Sequence, residues 1–493
     1  MQPSVTEFYE GKSVFITGAT GFVGKALVEK LLRSCPGIKT IYVLMREKKG
    51  VSSGQRLREL CNNSVFDVLR DTQPEVFKKL KLVVGDILEE ELGLSNDDRH
   101  ELQKHCNIIF HSAACVRFDQ ELKFAVQLNT NGTLKVLELA ETMPKLEAFV
   151  HLSTAYCRCH LEVYEEKMYP AIHPPRKIID LVEWMDDETL RHLEPKLISS
   201  EPNTYSYTKA ITEDLVAEYS SKFPIAIGRP SIVTAAWKEP APGWVDNLNG
   251  ATGFIVGCGK GVLHTMNCKP TYTADMVAVD IVVNGCILIA YATALEKSKD
   301  IRIYNITLSG AKKVNWNEIS AIGQKWIREY PYSVSLWYPR ARVASNWLLH
   351  QIIFLLTQLI PAYFIDMLLF LMGRKTFMIE VQKRISHGTS ILLYYTNKEW
   401  CFINKKFVSL KNKISKYDNE IFYTNLEDVA IDTYIKNYVL GTRKYIVKED
   451  LSTLPRARKL LKIRYVIDIL TKIILFSLFI WILHSKIGIL NIF

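Results

Sequence analysis

KSVFITGATGFVGKALVEKLLRS, residues 12–34, decides how the rest of the chain is read. Ser13 to Thr17 is a short β-rich apolar run, and from Lys25 to Arg33 apolar and polar residues recur at helical spacing. The glycines Gly18, Gly21 and Gly24 therefore lie between a strand and a helix. At such a junction glycine turns the chain tightly, lets backbone approach a ligand closely and packs helix against strand, while the helix N-terminus offers unpaired N–H groups to phosphate. A glycine triplet alone marks only a turn. In this setting it predicts a dinucleotide-binding loop built from Gly18, Thr20, Gly21, Phe22, Val23 and Gly24.

The next strand, TIYVLMREKKG from Thr40, ends in Arg46, where a site for NAD usually carries an acid. A guanidinium there suits a 2′-phosphate and favours NADP, as NADPH in the reducing direction; Glu47 beside it is the competing ribose partner. Four more apolar runs follow: LKLVVGDI at 80–87, CNIIFHSAA at 106–114, LEAFVHLSTAY at 146–156 and PIAIGRPSIV at 224–233. Nearly continuous apolar segments that end in small or polar residues read as buried parallel strands with ligand contacts at their C-terminal ends. This places Asp86, Ile87, Ala113, Pro230, Ile232 and Val233 on the cofactor side. With helical stretches such as LKVLELAETM from Leu134 between them, the expected fold is α/β, a doubly wound parallel Rossmann sheet.

At 205–209 the chain reads YSYTK. Residues four apart on a helix share a face, so Tyr205 and Lys209 reach one small volume. With TGATGFVG, GDI at 85–87, HSAA at 111–114, LSTAY at 152–156 and GRPSIV at 228–233, the sequence resembles the extended short-chain dehydrogenase/reductase superfamily. That resemblance implies three catalytic roles: Tyr205 as general acid, Lys209 holding the nicotinamide ribose and lowering the tyrosine pKa, and Thr154 orienting a carbonyl, with Ser153 as the less favoured occupant of the third role. The chemistry agrees, because a free tyrosine titrates near ~10 and a neighbouring ammonium favours its phenolate.

Composition bounds the rest. The 493 residues exceed one core; the net charge is +10, with cations dense toward the C-terminus in KKFVSLKNKISK and RARKLLKIR. There is no zinc-finger spacing, helix-turn-helix signal or interleaving of basic with aromatic residues, so nucleic acid is set aside as a partner. Ten scattered cysteines form no framework and read as reduced, mostly buried thiols, and the N-terminus is no signal peptide. The catalytic part is expected to face the cytosol.

The second half narrows the resemblance. VRFDQELKFAVQLNTNGT at 116–133, PGWVDNLNGATG at 242–253 and the block from MGRKTFMIEVQKRI at 372–385 to GTRKYIVKEDLSTLPRARK at 441–459 are similar to the fatty acyl-CoA reductases of animals, most closely the insect type. The likeness implies reduction of a long-chain fatty acyl-CoA by two NADPH to a primary alcohol, through a hemithioacetal and an aldehyde. Ala278, Cys115 and Ile431 depart from the family's usual residues. The alternatives are a steroid or sugar-nucleotide oxidoreductase of the same fold and a non-catalytic, membrane-anchored protein that binds NADP or acyl-CoA. Four regions are expected: a catalytic domain over 1–345, a hydrophobic segment at 346–372 that is membrane-associated or wraps the acyl chain, a smaller, mostly helical domain over 373–463, and a hydrophobic C-terminal tail at 464–493. The apolar run from Ile473, behind a basic flank from Arg456 to Lys472, suits a tail anchor in the endoplasmic reticulum or peroxisome membrane; an interfacial or packed helix is the alternative. No oligomeric state is legible.

Overall fold

The computed structural model describes residues 3–296, 298 and 300–490. The first two residues of the expected catalytic domain and the last three of the expected tail lie outside them. The chain forms two compact units, each assembled from separate segments: 1–245, 273–314 and 398–430 in the first, 246–272, 315–397 and 431–493 in the second.

The first unit is built on seven parallel strands: β1 Ser13–Thr17, β2 Thr40–Met45, β3 Leu80–Val84, β4 Cys106–His111, β5 Ala148–Leu152, β6 Ile225–Pro230 and β7 Arg302–Ile306. They lie in the order β7-β6-β5-β4-β1-β2-β3. The chain runs outward from β1 to β3, then returns to β4 on the other side of β1, so the strand order reverses between β1 and β4. A ligand crevice opens outside the carboxyl ends of strands at such a reversal. The expected parallel sheet is thus present, and three strands stop short of most of their motif residues: GDI, SAA and STAY lie in the connections after β3, β4 and β5. The strand cores are apolar because both faces are covered, whereas the motif residues must leave the ladder to meet a ligand.

Five helices of this unit matter for the site: α1 Phe22–Ser34, α2 Ser53–Cys61, α3 Gly132–Glu141, α4 Thr204–Ala217 and α5 Val279–Glu296. α5 is long and apolar enough to cross a membrane. It is buried on nearly every side and packs on α1, β5 and β6, so its all-round hydrophobicity belongs to a core helix.

The second unit is mostly helical in its C-terminal part. It includes α6 Trp347–Phe354, a π-helical turn over Leu355–Leu359, α7 Ile360–Leu371, α8 Met378–Thr396 and the long α9 Leu454–Leu490. A short parallel pair, Thr265–Asn267 with Arg342–Ala344, lies beside α6.

Candidate active site

The glycine loop fits a dinucleotide. Gly18 follows β1 at φ +75°, and a Cβ there would meet the backbone of Ser112 and Ala113 at 2.7–2.9 Å. The loop is therefore pressed against the connection after β4, at the reversal of strand order. A Cβ on Gly24 would fall 2.2 Å from the Gly18 carbonyl oxygen, which fixes close packing of α1 on its own loop. Gly21 begins α1 without a side-chain cap, so the first-turn amides of Phe22, Val23 and Gly24 keep their donor capacity for phosphate. Phe22 is steadied by stacking on Trp244, ring centres 5.2 Å apart.

Arg46 sits where the sequence places it, at the end of β2, and its Nη1 donates to the Asp86 carboxylate at 2.7 Å. Ile87, next along, is buried. Sequence reasoning missed a second guanidinium here. Arg56 on α2 donates from Nη1 to the Arg46 carbonyl at 2.6 Å and from Nη2 to the Thr20 hydroxyl at 3.3 Å, which joins the glycine loop to the end of β2. Its only signal was a basic residue on a helix after the second strand.

Asn203 caps α4 by accepting from the Ser206 amide at 2.9 Å. Tyr205 and Lys209 then fall on one face of this helix, aimed at the end of β5. The Tyr205 ring stacks on Phe118 at 5.5 Å, and the Thr154 hydroxyl lies near enough to the Tyr205 hydroxyl to favour the phenolate. Thr154 also accepts from the Tyr156 amide at 3.2 Å and reaches the Pro230 carbonyl at 3.5 Å. Lys209 Nζ donates to the Leu152 carbonyl at 2.7 Å. The structure therefore brings Thr154, Tyr205, Lys209 and Pro230 together, with Ala113 joined through its amide to the Thr17 hydroxyl at 3.3 Å. Ile232 and Val233 follow Pro230 in the chain, are half-buried and pair in parallel with Met276 and Val277. Tyr207 points away from this group and donates or accepts at His173 Nδ1, 3.0 Å.

The electrostatics differ from the expectation in one respect. Burial pushes the Tyr205 phenol above its ordinary value, and the Thr154 hydrogen bond is the leading influence in the other direction. Lys209, expected to depress it, does not figure among the leading influences, and burial dominates because an anion enclosed by apolar and thiol groups loses more hydration than one hydrogen bond returns. Lys209 itself is pulled down to about 8 by burial, while Glu213, one turn along α4, holds it up.

Two further sets of residues went unassigned at the sequence level. Asn129 lies in a π-helical turn, Gln127–Asn131, just before α3. Its side chain accepts from the Cys115 amide at 2.7 Å and donates to the Thr208 hydroxyl on α4 at 2.9 Å. Its carbonyl accepts from Thr133, whose hydroxyl is 2.9 Å from His111 Nε2, and His111 Nδ1 is 2.7 Å from the Thr17 hydroxyl. The second set is Glu213 and Arg229, which form a bidentate pair at 2.6 and 2.8 Å. Arg229 also donates to the carbonyls of Glu165 and Lys167 and lies 4.4 Å from the Tyr164 ring.

A family model described as "Male sterility protein" matches residues 16–286, and a second with the same description matches residues 357–449. The fatty acyl-CoA reductase 1 of Xenopus laevis is 39% identical over 97% of this chain and 93% of its own length. The fatty acyl-CoA reductase 2 of Homo sapiens is 39% identical over 93% of this chain and 89% of its own. The chain belongs to the fatty acyl-CoA reductase family.

Among solved structures, the terminal R domain from the myxalamid PKS-NRPS biosynthetic pathway superposes with a TM-score of 0.59 at 19% identity, covering 88% of this chain and 91% of that one. The reductase domain of a nonribosomal peptide synthetase from Mycobacterium tuberculosis gives 0.59 at 19% identity, over 90% and 93%. At these identities the likeness concerns the fold. In this fatty acyl-CoA reductase fold the glycine loop has the geometry that suits a dinucleotide, and two hydroxyls with a buried cation stand at the carboxyl ends of the strands.

Proposed function

We propose that this chain reduces long-chain fatty acyl-CoA to a primary fatty alcohol with NADPH, at a site formed by Thr154, Tyr205 and Lys209. The observation that carries the reading is the neighbouring Thr154 and Tyr205 hydroxyls beside buried Lys209 at the mouth of a dinucleotide crevice, in a chain of this family. Bound NADPH supplies hydride, and the residues manage the oxygen of the acceptor carbonyl. As negative charge develops on that oxygen, Thr154 donates one hydrogen bond and Tyr205 a second, followed by its proton. A phenol held above its ordinary value keeps its proton until a stronger base, an alkoxide, forms beside it. Loss of CoA from the hemithioacetal leaves an aldehyde, whose reduction places charge on the same oxygen, so one acid serves both steps. Lys209 holds the ribose and keeps a positive charge near the phenol.

The preference for NADPH is supported by Arg46 and Arg56, two guanidinium groups at the end of β2 and beside Thr20. Asp86 neutralises Arg46, so Arg56 is the cation with spare charge for a 2′-phosphate. For location, the exposed apolar residues of α9, such as Ile473, Leu475 and Phe476, behind a basic flank support a tail anchor in the endoplasmic reticulum or peroxisome membrane with the catalytic unit in the cytosol.

The test is product analysis by gas chromatography, using membranes from cells that express the chain, fed C16 and C18 acyl-CoA with NADPH or NADH. Fatty alcohol formed with NADPH, and lost in Tyr205→Phe with cofactor binding retained, is expected. No alcohol or aldehyde from any chain length, or full activity in Tyr205→Phe, refutes the reading.

A further inference from the structure

Residues 347–371 form a surface that the catalytic reading does not use. Apart from Asp366 the stretch carries no acid and no Lys or Arg, and three of its polar side chains, His350, Gln358 and Asp366, bond inward. Gln358, 3% exposed, accepts from the His264 amide at 2.9 Å. His350 Nδ1 is 3.0 Å from the Thr265 hydroxyl, so α6 is tied to the short strand beside it. Asp366, 5% exposed, accepts from the amides of Phe377, Met378 and Ile379 at 2.9–3.0 Å and so caps α8. The interruption that Asp366 makes in the sequence is thus absorbed inside the second unit. What remains outside is mostly apolar: Leu348, Ile352, Leu356, Phe364, Leu368 and Leu371 are all exposed. Neighbouring exposed apolar side chains of this kind mark an interaction surface.

The charge around the patch points to its occupant. Arg340 and Arg342 precede α6, and Arg374 and Lys375 follow α7, a collar suited to anionic headgroups. The patch also starts close to the tail. On α9, Asp468 accepts from Trp337 Nε1 at 2.9 Å and pairs with Arg340 at 3.5 Å and Lys472 at 2.5 Å. The exposed apolar run of α9 begins at Ile473, and α6 begins seven residues after Arg340, a reach of at most about 24 Å. Two apolar surfaces therefore set out from one basic point of the second unit.

We propose that α6 and α7 lie in the plane of the membrane interface, as a second lipid contact beside the tail. The 25 residues are long enough to span a bilayer. They are hydrogen-bonded along one side to a strand and a helix of the second unit, so lipid reaches only the other side, which is the condition of an interfacial helix and not of a spanning one.

The test uses the full-length chain in vesicles of phosphatidylcholine and phosphatidylserine. One phosphatidylcholine carries a photoactivatable diazirine near the ester carbonyls, another at the acyl-chain end, and adducts are mapped by peptide mass spectrometry. At least tenfold more shallow-probe adduct is expected on 347–371 than on the exposed Lys383–Arg384 stretch of α8, with deep-probe adducts confined to the tail. Leu356→Glu combined with Phe364→Glu removes the adducts on 347–371 and leaves those on the tail. Adducts on the tail alone overturn the proposal, as do shallow adducts competed away by palmitoyl-CoA, which make the face an acyl site. Strong deep-probe labelling of 347–371 overturns it in favour of a span, and adducts on neither segment overturn both lipid contacts. Alcohol formation in the same vesicles is read separately, so failure here is distinguishable from failure of the catalytic reading.

Discussion

Glu213→Gln tests the electrostatics behind the catalytic helix. The substitution keeps the side chain's size and one acceptor but removes the charge opposite Arg229, in a pair where the two side chains are 1% and 0% exposed. A buried guanidinium left without its partner costs roughly 3–5 kcal/mol. The first unit holds about 320 residues. At ~2.1 cal/mol/K of unfolding entropy per residue, each kcal/mol moves the midpoint by roughly 1.5 °C, so a fall of about 4–8 °C is expected by calorimetry of the full-length protein. Replacing both partners, Glu213→Leu with Arg229→Met, recovers about half of this. A deficit of about 1–3 kcal/mol persists because the carbonyls of Glu165 and Lys167 lose their donor. Catalysis supplies a readout that stability alone would not move. Glu213 is the leading influence that keeps Lys209 charged against burial, so in Glu213→Gln Lys209 loses its proton at lower pH, and the alkaline limb of kcat/KM moves below about 8. A midpoint shift under 1 °C, or a double variant no better than the single one, refutes the charge argument. An unmoved alkaline limb refutes the link to Lys209.

Three further outcomes follow from the site. Gly24→Ala puts a methyl 2.2 Å from the Gly18 carbonyl oxygen, so the loop must shift and NADPH affinity should fall at least tenfold by fluorescence titration, while an unchanged affinity removes that packing from cofactor binding. Arg56→Ala should weaken NADPH by roughly 10–100-fold, the value of one or two charge-assisted hydrogen bonds, and leave NADH within about twofold; equal losses for both cofactors would make Arg56 a loop support only. His111 is held down to about 3 and His151 well below 6.5, both by burial first and the Lys209 charge second. Below pH 6.5 the unfolded chain takes up protons that the folded chain refuses, so stability falls on acidification by about 1.4 kcal/mol per pH unit for each histidine. Neither ring nitrogen of His151 has a hydrogen-bond partner among the described residues. His151→Leu should therefore flatten the urea midpoint between pH 6.5 and 4.5 at little cost at pH 7, and an unaltered slope would count against it.

The parts of the site legible in sequence are those whose constraint is local. Gly18 and Gly24 announce themselves because a side chain at either would strike backbone, and Tyr205 with Lys209 because four residues make one helical turn. What the sequence hid depends on partners that topology brings from elsewhere. Glu213 and Arg229 are sixteen residues apart and meet only because α4 leads into β6. Arg56 is one cation among many until α2 sets it against Thr20. Asp366 interrupts an apolar run in sequence, and only the direction of its side chain shows it to be a cap.

Asn129 shows why such hidden residues shape function. A regular helix would leave the carbonyl of Asn129 inside its own ladder; the π-helical turn widens the backbone there, and that carbonyl accepts from Thr133 at 2.6 Å and from Thr212 on α4 at 3.3 Å. From Thr133 the contacts continue through His111 to Thr17, the last residue of β1 before the glycine loop. The strand that presents the cofactor loop and the helix that presents Tyr205 and Lys209 are thus registered by one buried chain of hydrogen bonds. His111 is held neutral, so it must accept at one nitrogen and donate at the other, and Thr17 and Thr133 are hydroxyls able to serve either way. A fixed polar chain of this kind tolerates no unpaired member at low cost. It therefore holds the glycine-loop strand and the helix of Tyr205 and Lys209 in one geometry, which the proposed reaction needs in both of its reductions, because the carbonyl carbon carries sulfur in the first and hydrogen in the second.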